Sequence, residues 1–244
     1  FKRVNDDEKS FHFLKLITYC ILKKSEGTDK TKFTKELFKL YELLLKQNYY
    51  RNKRIKYIEN TLFRNIVTNA LDLKEFEWTK NFIDRYSEKL HPESKENILN
   101  MCYAQYNLEL GISKMNKVIL NTAHTCLSKI QDDNFIYKYN VRNLFIKLYF
   151  EQEDYDSAFN QIEKYKRFLS RNNLITPKRK KKARIFLNHV EKLLMVKTGK
   201  HEIDISDLHF DILKQTAAME QKWLAEKISQ IDKMGKNKLI LKNK

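Results

Sequence analysis

Glycine and proline are nearly missing. The 244-residue chain holds 4 Gly and 2 Pro, too few for the tight turns of a many-stranded protein. Cysteine is scarce as well: Cys20, Cys102 and Cys126 are widely spaced, each within an apolar helical stripe. That spacing suggests neither a disulfide framework nor a zinc site, and buried thiols in a reducing compartment are the expectation. No two glycines stand close enough for a phosphate-cradling loop. No run approaches the about 18 apolar residues of a membrane helix, and no signal-type apolar stretch opens the chain, so a cytoplasmic protein without membrane insertion is expected. The chain opens on Phe1 and not on Met, which leaves room for an upstream segment.

What is present is a pattern that recurs about every 40 residues. Steps of 3, 7, 10 and 14 residues trace one face of a helix. From Phe76 they give Thr79, Ile83, Tyr86 and Leu90; from Tyr155 they give Ala158, Ile162, Tyr165 and Leu169. A weaker third copy reads Asn116, Ile119, Ala123, Cys126 and Ile130, with a polar residue in its first slot. Each frame follows a second helical face, marked by Ile66 and Ala70, then Tyr106 and Leu110, then Phe145 and Tyr149. Two helices per unit cannot bury their apolar stripes alone, so neighbouring units must stack. The core expected from this frame includes Ile66, Ala70, Phe76, Trp78, Ile83, Phe145, Tyr149, Tyr155, Ala158, Ile162 and Trp223.

Periodicity predicts helices near 5–24, 32–47, 51–72, 75–90, 93–110, 113–130, 134–151, 155–171, 177–198 and 207–232. Pro92 and Pro177 stand at helix starts, with Thr176 as a capping oxygen. Gly27, Gly111 and Gly199 fall at expected helix ends. The resulting expectation is an all-α solenoid of about five helix pairs, one array over 1–232 with its clearest repeats at 51–171. The helix at 207–232 closes its end, as solenoids require. Residues 233–244 are basic, lack a helical stripe and read as a loosely ordered tail.

Two stretches carry a family resemblance. Asn65 to Thr68 with Lys74 to Ile83 (Lys-Glu-Phe-Glu-Trp-Thr-Lys-Asn-Phe-Ile), and Trp223-Leu-Ala-Glu-Lys-Ile228, resemble tetratricopeptide-like proteins of Bacteroidetes-type bacteria. The likeness extends over roughly 60–230 and rests on helix-packing residues. It departs from the family where Val67 and Ile146 replace the usual small residue of the first helix and Glu153 the usual glycine between helices. The units are also longer than the common form of about 34 residues. The broader resemblance implies peptide binding on a helical-repeat surface and transfers no individual ligand-binding residue.

Charge is the other strong feature: +17, with an isoelectric point near 9.6. Such a field attracts polyanions. Lys far exceeds Arg, and Asn, Ile, Phe and Tyr are abundant, the set that A/T-rich codons produce, so composition alone accounts for much of the excess. The densest run is Lys178, Arg179, Lys180, Lys181, Lys182 and Arg184, at the start of a helix whose apolar side (Ala183, Phe186, Leu187, Val190, Leu194) continues in phase. Cations there oppose the helix dipole by about 0.3–1 kcal/mol each, a penalty that an anionic partner would relieve. Arg51, Lys53, Arg54 and Lys56 interleave with Tyr49, Tyr50 and Tyr57, the mixture that single-stranded nucleic acid needs. Tyr57 also continues the stripe of Ile58, Leu62 and Ile66, which gives it a packing role instead.

Catalytic signatures do not emerge. His12, His91, His124, His189, His201 and His209 are scattered, and none belongs to a helical zinc-protease pair. His124 and Cys126 point to different sides of a helix. Glu151, Glu153, Asp154 and Asp156 flank a helix turn as caps and solvated charge. No cofactor and no metal site are expected. The functional expectation is a non-enzymatic scaffold that binds an acidic peptide or protein segment. Its alternative is a nucleic-acid binder using the two basic stretches.

Overall fold

The computed structural model describes residues 5–27, 29–51, 56–131, 135–200, 203–215 and 220–242. All regular structure among them is helical: α1 (Asp6–Glu26), α2 (Lys30–Lys46), α3 (Asn60–Asp72), α4 (Phe76–Tyr86), a short 3₁₀ turn (Ser87–Lys89), α5 (Pro92–Lys114), α6 (Lys117–Ser128), α7 (Phe135–Gln152), α8 (Tyr155–Arg171), α9 (Pro177–Thr198), α10 (Ile205–Lys214) and α11 (Gln221–Lys242). The chain forms two compact units, residues 1–144 and 145–244, divided within α7.

In the first unit α1 packs on α2, α3 on α4, and α5 on α6, while α3 also touches α2 and α5. Leu37, Tyr41 and Leu44 of α2 meet a core continued by Phe63, Ile66, Val67 and Ala70 of α3, Ile83 of α4, and Ile98 and Leu108 of α5, all at most 2% exposed. In the second unit α9 is the central element, touched by α8, α10 and α11. Ala183, Phe186, Leu187, Val190, Leu193 and Leu194 form its fully buried side, facing a core shared with Ala158, Ile162, Tyr165 and Leu169 of α8.

Three helix pairs share one turn. Lys74, Met115 and Glu153 are left-handed, with φ of 63°, 48° and 63°, and each stands two residues before the next helix. The following amide donates back across five residues in every case: Glu75 to Ala70 at 3.0 Å, Asn116 to Gly111 at 3.0 Å, and Asp154 to Tyr149 at 2.9 Å. This is the six-to-one bond that closes a helix and turns the chain into its partner.

That geometry corrects the third repeat frame. Asn116 is the N-cap of α6, its side chain accepting from the amides of Val118 and Ile119, whereas Phe76 and Tyr155 are first helical residues. The register of α6 therefore begins at Lys117, and Leu120, 3% exposed, takes the place of Thr79 and Ala158. The polar first slot was a cap.

Other boundaries also differ from expectation. α3 begins at Asn60 with Glu59 as its N-cap, so the described residues 56–59 are not helical, and the Ile58 amide bonds the Lys89 carbonyl at 2.8 Å. Gly111 does not end a helix: α5 continues to Lys114. Gly111 is buried where α6 approaches, and a Cβ there would stand 2.7 Å from Leu120 Cδ2. The single helix expected at 207–232 is two, α10 and α11, packed on each other. No glycine or proline marks that break, and the continuous apolar phase hides it. α11 runs on to Lys242, into the stretch whose missing stripe suggested loose order.

Candidate functional site

The start of α9 is built by local rules. The Asn172 side chain accepts from the Leu174 amide at 2.9 Å, Ile175 is buried, and Thr176 caps the helix by accepting from the Arg179 amide at 3.4 Å. Pro177, with its fixed φ and no amide to satisfy, occupies the first helical position. Because the apolar side of α9 faces the core, residues three, four, seven and eleven after Pro177 fall on its outer side. There Lys180, Lys181, Arg184 and Asn188 join Asn173 and Ile175 in lining a groove of about 540 Å³.

Lys181, Arg184 and Lys178 are exposed, and Lys180 and Lys182 half-buried. None of these five makes an ion pair with a described residue, and Arg179 is exposed beside them. Four acids of this unit are engaged elsewhere: Glu191 and Glu163 pair with Lys166 at 3.0 Å, Glu151 with Lys227 at 2.8 Å, and Glu220 with Lys147 at 2.9 Å. The first turn of α9 contains no acid. Uncompensated cations are thus superposed on the positive end of the helix dipole, a combination suited to holding an anion.

The second basic stretch is not assembled in this way. Arg51 and Lys56 are exposed in the first unit, while Lys53 and Arg54 lie outside the described residues. The neighbouring rings are occupied. Tyr50 is buried with its hydroxyl donating to Asn48 at 3.2 Å, Tyr49 packs on Phe13 at 5.2 Å, and Tyr57 meets the His91 ring edge-on at 5.0 Å. Tyr57 precedes α3 and so is not part of its stripe.

Of the expected core residues, Ile66, Ala70, Ile83, Ala158 and Ile162 are at most 1% exposed and Trp223 is 5% exposed. Phe76, Phe145, Tyr149, Tyr155 and Trp78 are half-buried. Trp78 belongs to a second groove that sequence reasoning missed, of about 560 Å³, between α2 and α4. Its ring stacks on Phe82 (5.5 Å, 6° between planes), and Phe82 on Tyr86 (5.2 Å, 28°). Glu42, Lys46, Asn81 and Arg85 stand around this aromatic floor. The signal was the i, i+4, i+8 spacing of Trp78, Phe82 and Tyr86.

Burial pushes the Cys102 thiol up to about 12, and burial likewise raises Cys20 and Cys126, so these thiols stay protonated at neutral pH. The Ser128 hydroxyl donates to the His124 carbonyl at 3.0 Å, one turn back on its own helix, and stands 3.5 Å from the His124 ring Nδ1. Among the described residues no group of His, Cys, Asp and Glu could hold a metal ion, and no helix is long and apolar enough to cross a membrane. Comparison with protein-family models, with curated proteins and with solved structures gives no match.

Proposed function

We propose that this chain is a tetratricopeptide-like helical-repeat scaffold, without enzymatic activity, that captures an acidic protein or peptide segment in the cytoplasm. The three hairpins with one shared turn geometry support the repeat reading. The binding reading rests on one observation, the unpaired row of Lys180, Lys181 and Arg184 along the α9 groove. Carboxylates entering the groove meet three cations and the positive end of the helix dipole. Asn173 and Asn188 each offer a donor and an acceptor to an extended backbone, and Ile175, Pro177 and Ile185 give apolar purchase between the charges. No aromatic ring lines this groove, so it lacks the stacking platform that single-stranded nucleic acid uses.

Fluorescence anisotropy with three labelled probes, an oligoglutamate peptide, a single-stranded oligonucleotide and a DNA duplex, tests the proposal. Saturable peptide binding that drops tenfold or more in the K181E/R184E double variant is the expected result. Preference for an oligonucleotide, with affinity falling linearly against log salt at about −0.9 per phosphate on the duplex, overturns it in favour of nucleic-acid binding. Failure of all three probes to bind makes the basic row a solvated surface and also overturns it.

A further inference from the structure

A ladder of rings runs along one face of α4 and floors the groove against α2: Trp78, Phe82 and Tyr86, one helical turn apart. Each ring has packed neighbours. Trp78 packs on Phe38 at 4.8 Å and stacks on Phe82 at 5.5 Å, Phe82 stacks in turn on Tyr86 at 5.2 Å, and the Arg85 guanidinium stands over the Tyr86 ring at 5.8 Å. With ring faces taken up in this way, the groove is lined mainly by ring edges, the positive part of the aromatic quadrupole. The polar groups around the floor have the same character. Lys46, Asn81 and Arg85 are exposed, and neither they nor the Trp78 indole N–H has a hydrogen bond or ion pair with a described residue. Lysine, arginine and indole donate and do not accept. The Asn48 carbonyl oxygen already accepts from the Tyr50 hydroxyl at 3.2 Å, which leaves its amide N–H donors as the unused half of that side chain. A ligand suited to this groove is rich in acceptors and lies along about 12 Å of ring edge, the rise of eight helical residues.

We propose that the α2–α4 groove binds a proline-rich segment of another protein, held as a polyproline II helix. Proline has no N–H, so the backbone of such a segment offers carbonyl oxygens alone, and a polyproline II helix uses none of them internally. Its pyrrolidine rings pack against aromatic side chains. At a rise of about 3.1 Å per residue, about four residues cover the floor, and they arrive already ordered, so little entropy is lost on binding. The same inventory argues against other occupants. Bases of a single strand need open ring faces to stack on, and here the faces are occupied. An aliphatic helix would cover the unpaired donors without supplying acceptors and would carry the full cost of their desolvation. Glu42 shares the lining with Lys46 and Arg85, so the groove holds less net positive charge than the α9 row and does not duplicate it for acidic segments. It belongs to the first unit and has no residue in common with the α9 groove, so the two proposals stand or fall separately.

Fluorescence anisotropy on the full chain tests this, with a labelled oligoproline peptide, a Gly-Ser peptide of the same length and a single-stranded oligonucleotide as competitor. The expected result is saturable binding of oligoproline in preference to the Gly-Ser peptide. It should weaken by about tenfold in N81D/R85E, which turns two donors into acceptors, weaken in W78F, which keeps a ring but loses the indole N–H, and stay unchanged in K181E/R184E. Asn81 and Arg85 are both exposed and make no hydrogen bond or ion pair with a described residue, so N81D/R85E should melt close to the native chain. Because oligoproline is uncharged along its length, the charge change in this variant does not by itself repel the probe. Absence of saturable oligoproline binding overturns the proposal, as does equal affinity for the Gly-Ser peptide. Binding indifferent to both N81D/R85E and W78F overturns it too, and an oligonucleotide that displaces the peptide assigns the groove to nucleic acid instead.

Discussion

Glu151 and Trp223 are joined by a hydrogen bond of 2.6 Å from the indole Nε1 to the carboxylate, which also accepts from Lys227 Nζ at 2.8 Å. One carboxylate of α7 thereby satisfies two groups of α11, in a setting where the side chains of Lys227 and Glu151 are only 7% and 12% exposed. Phe150 and Phe186 close over the indole at 5.2 and 6.3 Å. Removing one partner of a buried pair costs more than removing both, because the remaining charge loses its compensation. Glu151→Ala should destabilise the second unit by about 3–5 kcal/mol, and Glu151→Ala with Lys227→Met should recover part of that loss. Urea unfolding followed by tryptophan fluorescence reads both; a double-variant loss equal to the sum of the Glu151→Ala and Lys227→Met losses would show the pair to be uncoupled.

The left-handed turns permit a stabilising change. Met115 adopts φ of 48° while its side chain is 92% exposed, so it carries the steric penalty of that conformation with little packing in return. Met115→Gly should raise stability by about 1 kcal/mol. Four residues earlier the opposite holds. Gly111→Ala would press a methyl group against Leu120, including its backbone nitrogen at 3.2 Å, and should cost about 1–3 kcal/mol. Thermal melts of the two variants should move in opposite directions.

These two residues also show which parts of the fold were legible. Helices were readable because their apolar stripes keep the 3.6-residue period, and α8 and α9 match expectation at both ends. Turns were harder, since this chain makes them from Lys74, Met115 and Glu153 where glycine would have signalled them. Gly111, which looked like a terminator, serves close helix packing. The break between α10 and α11 was hidden because Leu208 and Ile212 lead in phase toward Trp223. The basic run at 178–184 was visible as composition, but its isolation from acids was not: Glu191 and Glu220 are committed to Lys166 and Lys147 through contacts 25 and 73 residues apart.

Removal of residues 204–244 should expose the side of α9 that α10 and α11 cover. Leu208, Ile212, Leu224 and Ile228 are at most 2% exposed, and each contributes about 1.5–3 kcal/mol through burial. Their joint loss exceeds what a domain of this size can spare. The truncated chain should aggregate or melt far below the full one. An unchanged melting temperature would refute the capping role of this helix pair.

His189 makes the second unit sensitive to mild acid. It is 6% exposed on α9, and its Nδ1 has no hydrogen-bond partner among the described residues. Burial holds its pKa below the ordinary histidine value; Lys192, one turn on, acts in the same direction, and Asp211 of α10 opposes them more weakly. A histidine with a depressed folded pKa binds its proton more readily when unfolded. Stability is therefore complete above the unfolded value, near 6.5, and falls as pH drops from there toward the folded value. Asp84 loses its contribution in a lower window, because hydrogen bonds from Lys80 and Tyr103 keep its carboxyl below the usual carboxylate range. Urea titrations between pH 7.5 and about 5 should show a declining midpoint in the native chain. In His189→Met, a variant of similar volume that cannot be protonated, the midpoint should stay level over that interval. A parallel decline in both proteins would assign the acid sensitivity to carboxylates and remove His189 from the account.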